Sequence, residues 1–141
     1  MMARITELQE KYKRLTSKLT VKNVGTIDDK CLLAFDYEYP NQPSEVTIDT
    51  EEFTAVCPWT GLPDIGKLTI TYVPHHKCVE LKSLKHYLLT FRDVGIVQEH
   101  VANKILKDLT TLCQPRSIKV HLDYKARGGM HTSVAAEYKA E

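Results

Sequence analysis

The 141-residue chain is short of most features that announce a function on sight. It has no dominant charge: nineteen Lys and Arg against eighteen Asp and Glu leave a formal +1. That balance does not favour nucleic acid or an anionic membrane as a default partner. No apolar run approaches the ~20 residues of a membrane span, and the opening MMARITELQEKYKRLTSK lacks the apolar core of a secretory signal. A cytoplasmic address is therefore expected. The four cysteines, Cys31, Cys57, Cys78 and Cys113, form no CxxC pair, so no metal site and no thioredoxin-like site is expected, and reduced, mostly buried thiols are. No GxGxxG follows a strand-like run, so a dinucleotide-binding fold with its glycine fingerprint is not encoded. Low-complexity tracts and internal repeats are missing too.

What remains is enough residues for one compact domain, 1–141, since a chain of this size buries about 70% of its extended surface. Residues 1–20 read as a peripheral N-terminal extension. Within it, Ile5, Leu8, Tyr12 and Leu15 recur at spacings of three and four and predict a short amphipathic helix over 4–15. The runs over 30–39 and 46–49 are strand-like, separated by a Pro/Asn turn, and predict an antiparallel pair. Residues 67–74 alternate Leu68, Ile70 and Tyr72 against Thr69, Thr71 and Val73, the clearest strand pattern in the chain. The period then changes. Leu84, Tyr87, Leu88 and Phe91 predict a helix capped by Ser83 and ending near Gly95, and Val97, Val101, Ile105, Leu109 and Leu112 predict another closing before Pro115. The short link over 93–95 suggests that the two helices are antiparallel. Strand alternation resumes with Ile118, Val120 and Leu122, turns at Gly128 and Gly129, and continues. Strands, a helix pair, then strands again predict an α+β domain: an antiparallel sheet with helices on one face.

Cys57 lies in TAVCPWTGLPD, a segment crowded with Pro58, Gly61 and Pro63 that suits a side chain held in one pose. Asp64 follows seven residues later, and a returning loop would bring its carboxyl group to the thiol for proton transfer. A buried cysteine with a turn-forming aspartate is the plainer reading of these two residues alone. The stretch CVELKSLKHYLLTFR has a second constellation, Glu80, Lys82, Lys85 and Arg92, which by pattern alone reads as a solvated helix face.

Taken together and in order, CPWTGLPD, ELKSLKHY, FRDVGIVQEH and YKARGG resemble the QueF family of nitrile reductases, in its short single-module form, over roughly residues 30–138. The resemblance implies a tunnelling fold, whose copies close into a multi-subunit barrel with active sites between neighbours. It implies NADPH-dependent reduction of 7-cyano-7-deazaguanine to 7-aminomethyl-7-deazaguanine for queuosine in tRNA, through a covalent cysteine thioimide. Cys57 takes the nucleophile's place and Asp64 the proton donor's. Val79, Glu80, Leu81, Gln98 and Glu99 match substrate contacts, with Glu99 facing the donor edge of the base. Lys82, Ser83, Lys85, Arg127 and Gly128 match cofactor contacts, since a dinucleotide without a Rossmann loop needs cationic side chains and backbone donors. Two positions depart from the pattern: Gln98 stands where the reductases have histidine, and His86 where the signature has leucine. A glutamine cannot carry a proton near neutral pH. A sister group, the QueF-like amidinotransferases, forms the same thioimide and adds ammonia for archaeosine, but lacks the NADPH signature that ELKSLKHY largely preserves. A noncatalytic purine- or pterin-binding tunnelling-fold protein is a third reading. GTP cyclohydrolase I shares the fold and ranks last, for want of a Cys/His zinc constellation.

Overall fold

The structure, a computed structural model, describes residues 4–17 and 20–141. Helix α1 (Ile5–Ser17) opens the described chain, and a 3₁₀ turn at Val24–Thr26 follows. Then come β1 (Ala34–Asp36), β2 (Val46–Val56), β3 (Pro63–Val73), β4 (Lys77–Val79), α2 (Leu81–Leu89), α3 (Gln98–Cys113), β5 (Ser117–Tyr124) and β6 (Ser133–Lys139).

Strands β2, β3, β5 and β6 form one antiparallel sheet in the order β2-β3-β5-β6. Its register explains why alternation is so clear in 67–73 and 117–123. Leu68, Ile70 and Tyr72 pair with Leu122, Val120 and Ile118, and all six are buried on the helix side. Thr69, Thr71, Lys119 and His121 share the opposite, polar face. Val101, Ala102, Ile105 and Leu109 of α3 close the core over β5 and β6, and Leu84 and Tyr87 close it from α2, with Phe91 from the turn that follows. Phe91 packs edge-to-face on both Phe53 and Tyr87, at 5.5 and 5.3 Å between ring centroids. The buried Tyr87 hydroxyl donates to Asp108 of α3 at 2.6 Å, so a polar tip reaches a partner instead of being stranded. Gly66 is required by close approach, because a Cβ there would sit 2.9 Å from the Asp123 carbonyl oxygen.

Several boundaries differ from the pattern reading. The run over 30–39 yields only β1, and β1 pairs with β4 (Ala34↔Val79), not with the 46–49 run. That run belongs to β2, which extends to Val56 and pairs with β3. β3 begins at Pro63 instead of 67, so Asp64 lies on a strand, opposite Ala55, rather than in a returning loop. Helix α2 is capped by Glu80, not Ser83. The Glu80 carboxylate accepts from the Lys82 and Ser83 amides at 3.0 and 2.7 Å. Ser83 sits inside the first turn, its hydroxyl donating to the Glu80 carbonyl (2.8 Å) and accepting from the Leu33 amide (2.9 Å). The helix stops at Leu89, short of Gly95. In α1, Ile5 and Leu8 are exposed, so this part of the expected apolar stripe is not buried in the chain; the side chains of Tyr12 and Leu15 lie outside what is described. No helix among the described residues is long and apolar enough to cross a membrane.

Candidate active site

The end of β2 delivers Cys57 into a tight turn that returns as β3. The Cys57 amide donates to the Leu62 carbonyl at 2.9 Å, and the Gly61 amide donates to the Cys57 carbonyl at 2.8 Å. Gly61 takes φ +71°, a left-handed conformation that a side chain resists. The thiol is held with 5% exposure, among donors. The Thr60 hydroxyl, opposed by the desolvation of a buried sulfur and helped by the Thr60 and Trp59 amides and Arg127, brings Cys57 down to about 7. Near neutral pH much of it is therefore thiolate. Of the other free cysteines, burial pushes Cys113 up to about 11, and Cys31 is raised by burial and then by the Asp28 carboxylate.

Asp64, 3% exposed, points from β3 into the same corner. One of its oxygens accepts from Gln98 Nε2 at 3.2 Å and forms an ion pair with Arg127. Both partners are placed by backbone. The Val56 amide donates to the Val94 carbonyl (3.1 Å) and the Ile96 amide to the Val56 carbonyl (3.2 Å), which ties the start of α3 to the cysteine strand. Gly95 permits that approach, since a Cβ there would lie 3.1 Å from Pro58 Cα and closer still to Val21. On the other side the Lys125 amide donates to the Ile65 carbonyl at 2.9 Å. The turn beyond it, closed by reciprocal 2.9 Å bonds between Arg127 and Met130, uses Gly128 and Gly129 at φ +57° and +78°. Arg127 is thereby aimed back at Asp64 while remaining half exposed. Its guanidinium is held above its ordinary range by Asp64 and then by Cys57.

Tyr124 completes the corner, donating from its hydroxyl to the Gln98 carbonyl at 3.2 Å. Burial, with the Asp64 and Glu99 carboxylates adding to it, pushes that phenol up and keeps it a donor. Glu99 itself is exposed in the first turn of α3. Cys57, Asp64, Gln98, Glu99 and Arg127 therefore gather at one end of the sheet. Thr60 and Tyr124 join them and are not among the sequence-predicted site residues. Thr60 is visible within CPWTGLPD as a hydroxyl three residues from the thiol, whereas Tyr124 reads in sequence only as a core position.

The rest of the predicted set lies elsewhere. The Val79 amide donates to the Tyr72 hydroxyl at 3.0 Å, and Tyr72 is eight residues along β3 from Asp64. At the rise of an antiparallel strand, that is about 27 Å. Val79 is buried, and Glu80 and Ser83 are engaged in starting α2. Leu81, Lys82 and Lys85 are exposed. Lys85 and Arg92 rim an apolar cleft between α2 and β2, floored by Phe53, Leu84 and Leu88. Exposed ammonium groups at this helix start, with Arg127 and the amides of a left-handed Gly128 at the other end, are a donor set suited to phosphates. The Ser83 hydroxyl, by contrast, is already occupied within the chain.

Comparisons with known proteins add the following. A family model described as QueF-like protein matches residues 63–141. A protein named NADPH-dependent 7-cyano-7-deazaguanine reductase from Caldicellulosiruptor bescii is 48% identical over 132 residues, covering 94% of this chain and 99% of the relative. One of the same name from Chloroherpeton thalassium is 51% identical over 110 residues, covering 78% and 95%. Among solved structures, the apo form of an archaeosine synthase, QueF-Like, superposes with a TM-score of 0.65 at 23% identity, over 71% of this chain and 98% of that one. At that identity the likeness is one of fold, and it bears out the tunnelling fold.

Proposed function

The chain belongs to the QueF family, and we propose that it is an NADPH-dependent 7-cyano-7-deazaguanine reductase, acting through a thioimide on Cys57. The observation that carries the reading is the corner just described, a thiol brought to about 7 and a buried carboxylate that both meet Arg127, in a chain 48% identical to a relative of that name.

A nitrile carbon is a poor hydride acceptor, whereas a protonated thioimide is an activated one. The Cys57 sulfur bonds to the nitrile carbon, and the C≡N triple bond becomes C=N. Asp64 passes a proton to the nitrile nitrogen, taken from the thiol or, where Cys57 is already thiolate, from water, so the thioimide forms with one proton on nitrogen. NADPH, when bound, supplies hydride. Reduction to the amine takes up two hydrides and two protons and frees Cys57 as the C–S bond breaks. Gln98 and Arg127 orient Asp64 throughout, and Glu99 offers its carboxylate to the N–H donors of the base. Because Gln98 holds no titratable proton, Asp64 is the proton carrier in this corner. Lys82, Lys85, Arg127 and Gly128 would hold the cofactor phosphates, while Glu80 and Ser83 act by fixing the helix start that presents the lysines.

The run of β3 from Asp64 to Tyr72, about 27 Å long and with Val79 at its far end, supports a site made by two chains, with Val79, Glu80 and Leu81 of one copy completing the Cys57 corner of another. Among the described residues, the outer strands β2 and β6 each have a side that no other named strand covers, apart from the bridge of Val56 to Gly95, and copies can join there. The domain assignment belongs to the same proposal: 1–141 as one domain, with 1–20 peripheral, supported by a single hydrophobic cluster and by the exposure of Ile5 and Leu8. So does a cytoplasmic location, where nucleotide-like substrates and NADPH are found.

The test is NADPH oxidation with 7-cyano-7-deazaguanine. Two NADPH consumed per nitrile are expected, together with a thioimide adduct detected by intact mass and absent from Cys57→Ala. An adduct without NADPH oxidation, but with ammonia incorporated, would select the amidinotransferase reading. No adduct would overturn both.

A further inference from the structure

Away from the Cys57 corner, a second group of reactive side chains comes together where residues 28–31 pass over α2. Asp28, Cys31 and His86 each bring one ligand-type atom to a common point, and these atoms all lie within 4.8 Å of one another. The sequence shows no sign of it, since Asp28 and Cys31 are three apart but His86 is 55 residues further on.

The group is held in place from several directions. The Asp28 amide donates to Thr90 Oγ1 at 3.1 Å, which anchors the loop to the end of α2. The Lys30 and Cys31 amides both donate to Asp28 Oδ1 at 3.1 Å, so the carboxylate is oriented in advance. The Cys31 thiol is directed at the Asp28 carbonyl, 3.1 Å away, and lies 3.8 Å from the Ser83 carbonyl. His86 stands on the exposed side of α2, free to turn its ring. It is also the position at which ELKSLKHY departs from the family signature, where leucine is usual, so the one imidazole of this helix falls beside the one cysteine of the chain that is not buried.

We propose that Asp28, Cys31 and His86 bind a zinc ion that clips the 28–31 loop to α2. One sulfur, one imidazole nitrogen and one carboxylate oxygen form a mixed set that suits Zn²⁺ and is wrong for Mg²⁺ or Ca²⁺, which take oxygen ligands. Ligand bonds of 2.0–2.3 Å put neighbouring atoms of a tetrahedron about 3.5 Å apart. Closing from the present spacing takes about 1 Å of travel, within the reach of the exposed His86 ring. On binding, the Cys31 thiol releases its proton to solvent and becomes the thiolate ligand, and the fourth position is left to water. The clip would steady the start of α2 that presents Lys82 and Lys85.

The full chain, reduced and stripped of metal, is titrated with Co²⁺ as a spectroscopic substitute and then with Zn²⁺. About one ion per chain is expected, with a near-ultraviolet sulfur-to-cobalt charge-transfer band and the visible bands of a tetrahedral site. The charge-transfer band should vanish in Cys31→Ser and persist in Cys57→Ala. His86→Leu, a surface change to the residue the signature prefers, should weaken binding at least about tenfold. Zn²⁺ should raise the melting temperature of the starting protein but not of Cys31→Ser. A band absent from the starting protein, retained in Cys31→Ser, or lost in Cys57→Ala would overturn the proposal, as would unchanged affinity in His86→Leu. None of these readouts depends on nitrile reduction, so failure here leaves the reductase reading untouched.

Discussion

The two ends of the sheet solve different problems with similar residues. At the Cys57 end the polar side chains answer one another. Asp64 is paired with Arg127 and Gln98, Gln98 with Tyr124, and the thiol is approached by Thr60. At the α2 end, Glu80 and Ser83 are turned onto the backbone, and the lysines are left facing outward. The first arrangement fixes protonation states inside one chain; the second leaves charges exposed for something outside it. Chemistry is thus assembled within the fold, and recognition is left to surfaces that meet later.

The comparison can be broken at several points. The largest effect is expected for Cys57→Ala, which removes adduct and turnover together. Co-expressed with a Lys82→Ala/Lys85→Ala chain that retains its cysteine, it should recover part of the activity neither variant has alone. Recovery no greater than the sum of the two separate preparations would place the whole site in one chain. Asp64→Asn comes next: turnover should fall about 10²- to 10⁴-fold, with near-native thermal stability. A variant that fails to fold would show that the Asp64 pairing is structural. Glu99→Ala should raise the substrate dissociation constant by about ten- to a hundredfold, matching the loss of charged hydrogen bonds, with little change in the cofactor KM. The smallest and most specific effect is on pH dependence. Adduct formation should rise with pH through an inflection near 7, because deprotonation makes the nucleophile. Thr60→Val removes the hydroxyl that contributes most and should move the inflection upward, and Arg127→Ala should move it in the same direction by less. An inflection that stays in place would show that the thiol is tuned by other groups.

The legible parts of the fold were those with a long repeat of one period. Alternation over 67–73 and 117–123 and the spacing over 97–112 each reflect a face packed on the core, and each survives as β3, β5 and α3. What escaped was short or shared. A three-residue pairing such as β1 with β4 has too few alternations to show a period, so the 30–39 run looked like a partner for its sequence neighbour. Ser83 looked like the cap because serine often is one. Here the glutamate three residues earlier reaches the same amides, and the serine is drawn inward by the Leu33 amide. Of the active corner, Cys57 and Asp64 were legible through the resemblance. Their neighbours Thr60 and Tyr124 were not, since a hydroxyl near a thiol and a tyrosine at a core position carry no period of their own.

The length of β3 has a kinetic consequence. If a productive site needs the Cys57 end of one copy and the Val79 end of another, then below the dissociation constant of the assembly the rate per millilitre grows with at least the second power of chain concentration. Newly made chains would stay silent until enough had accumulated to meet, and simple dilution would turn the activity off without any inhibitor.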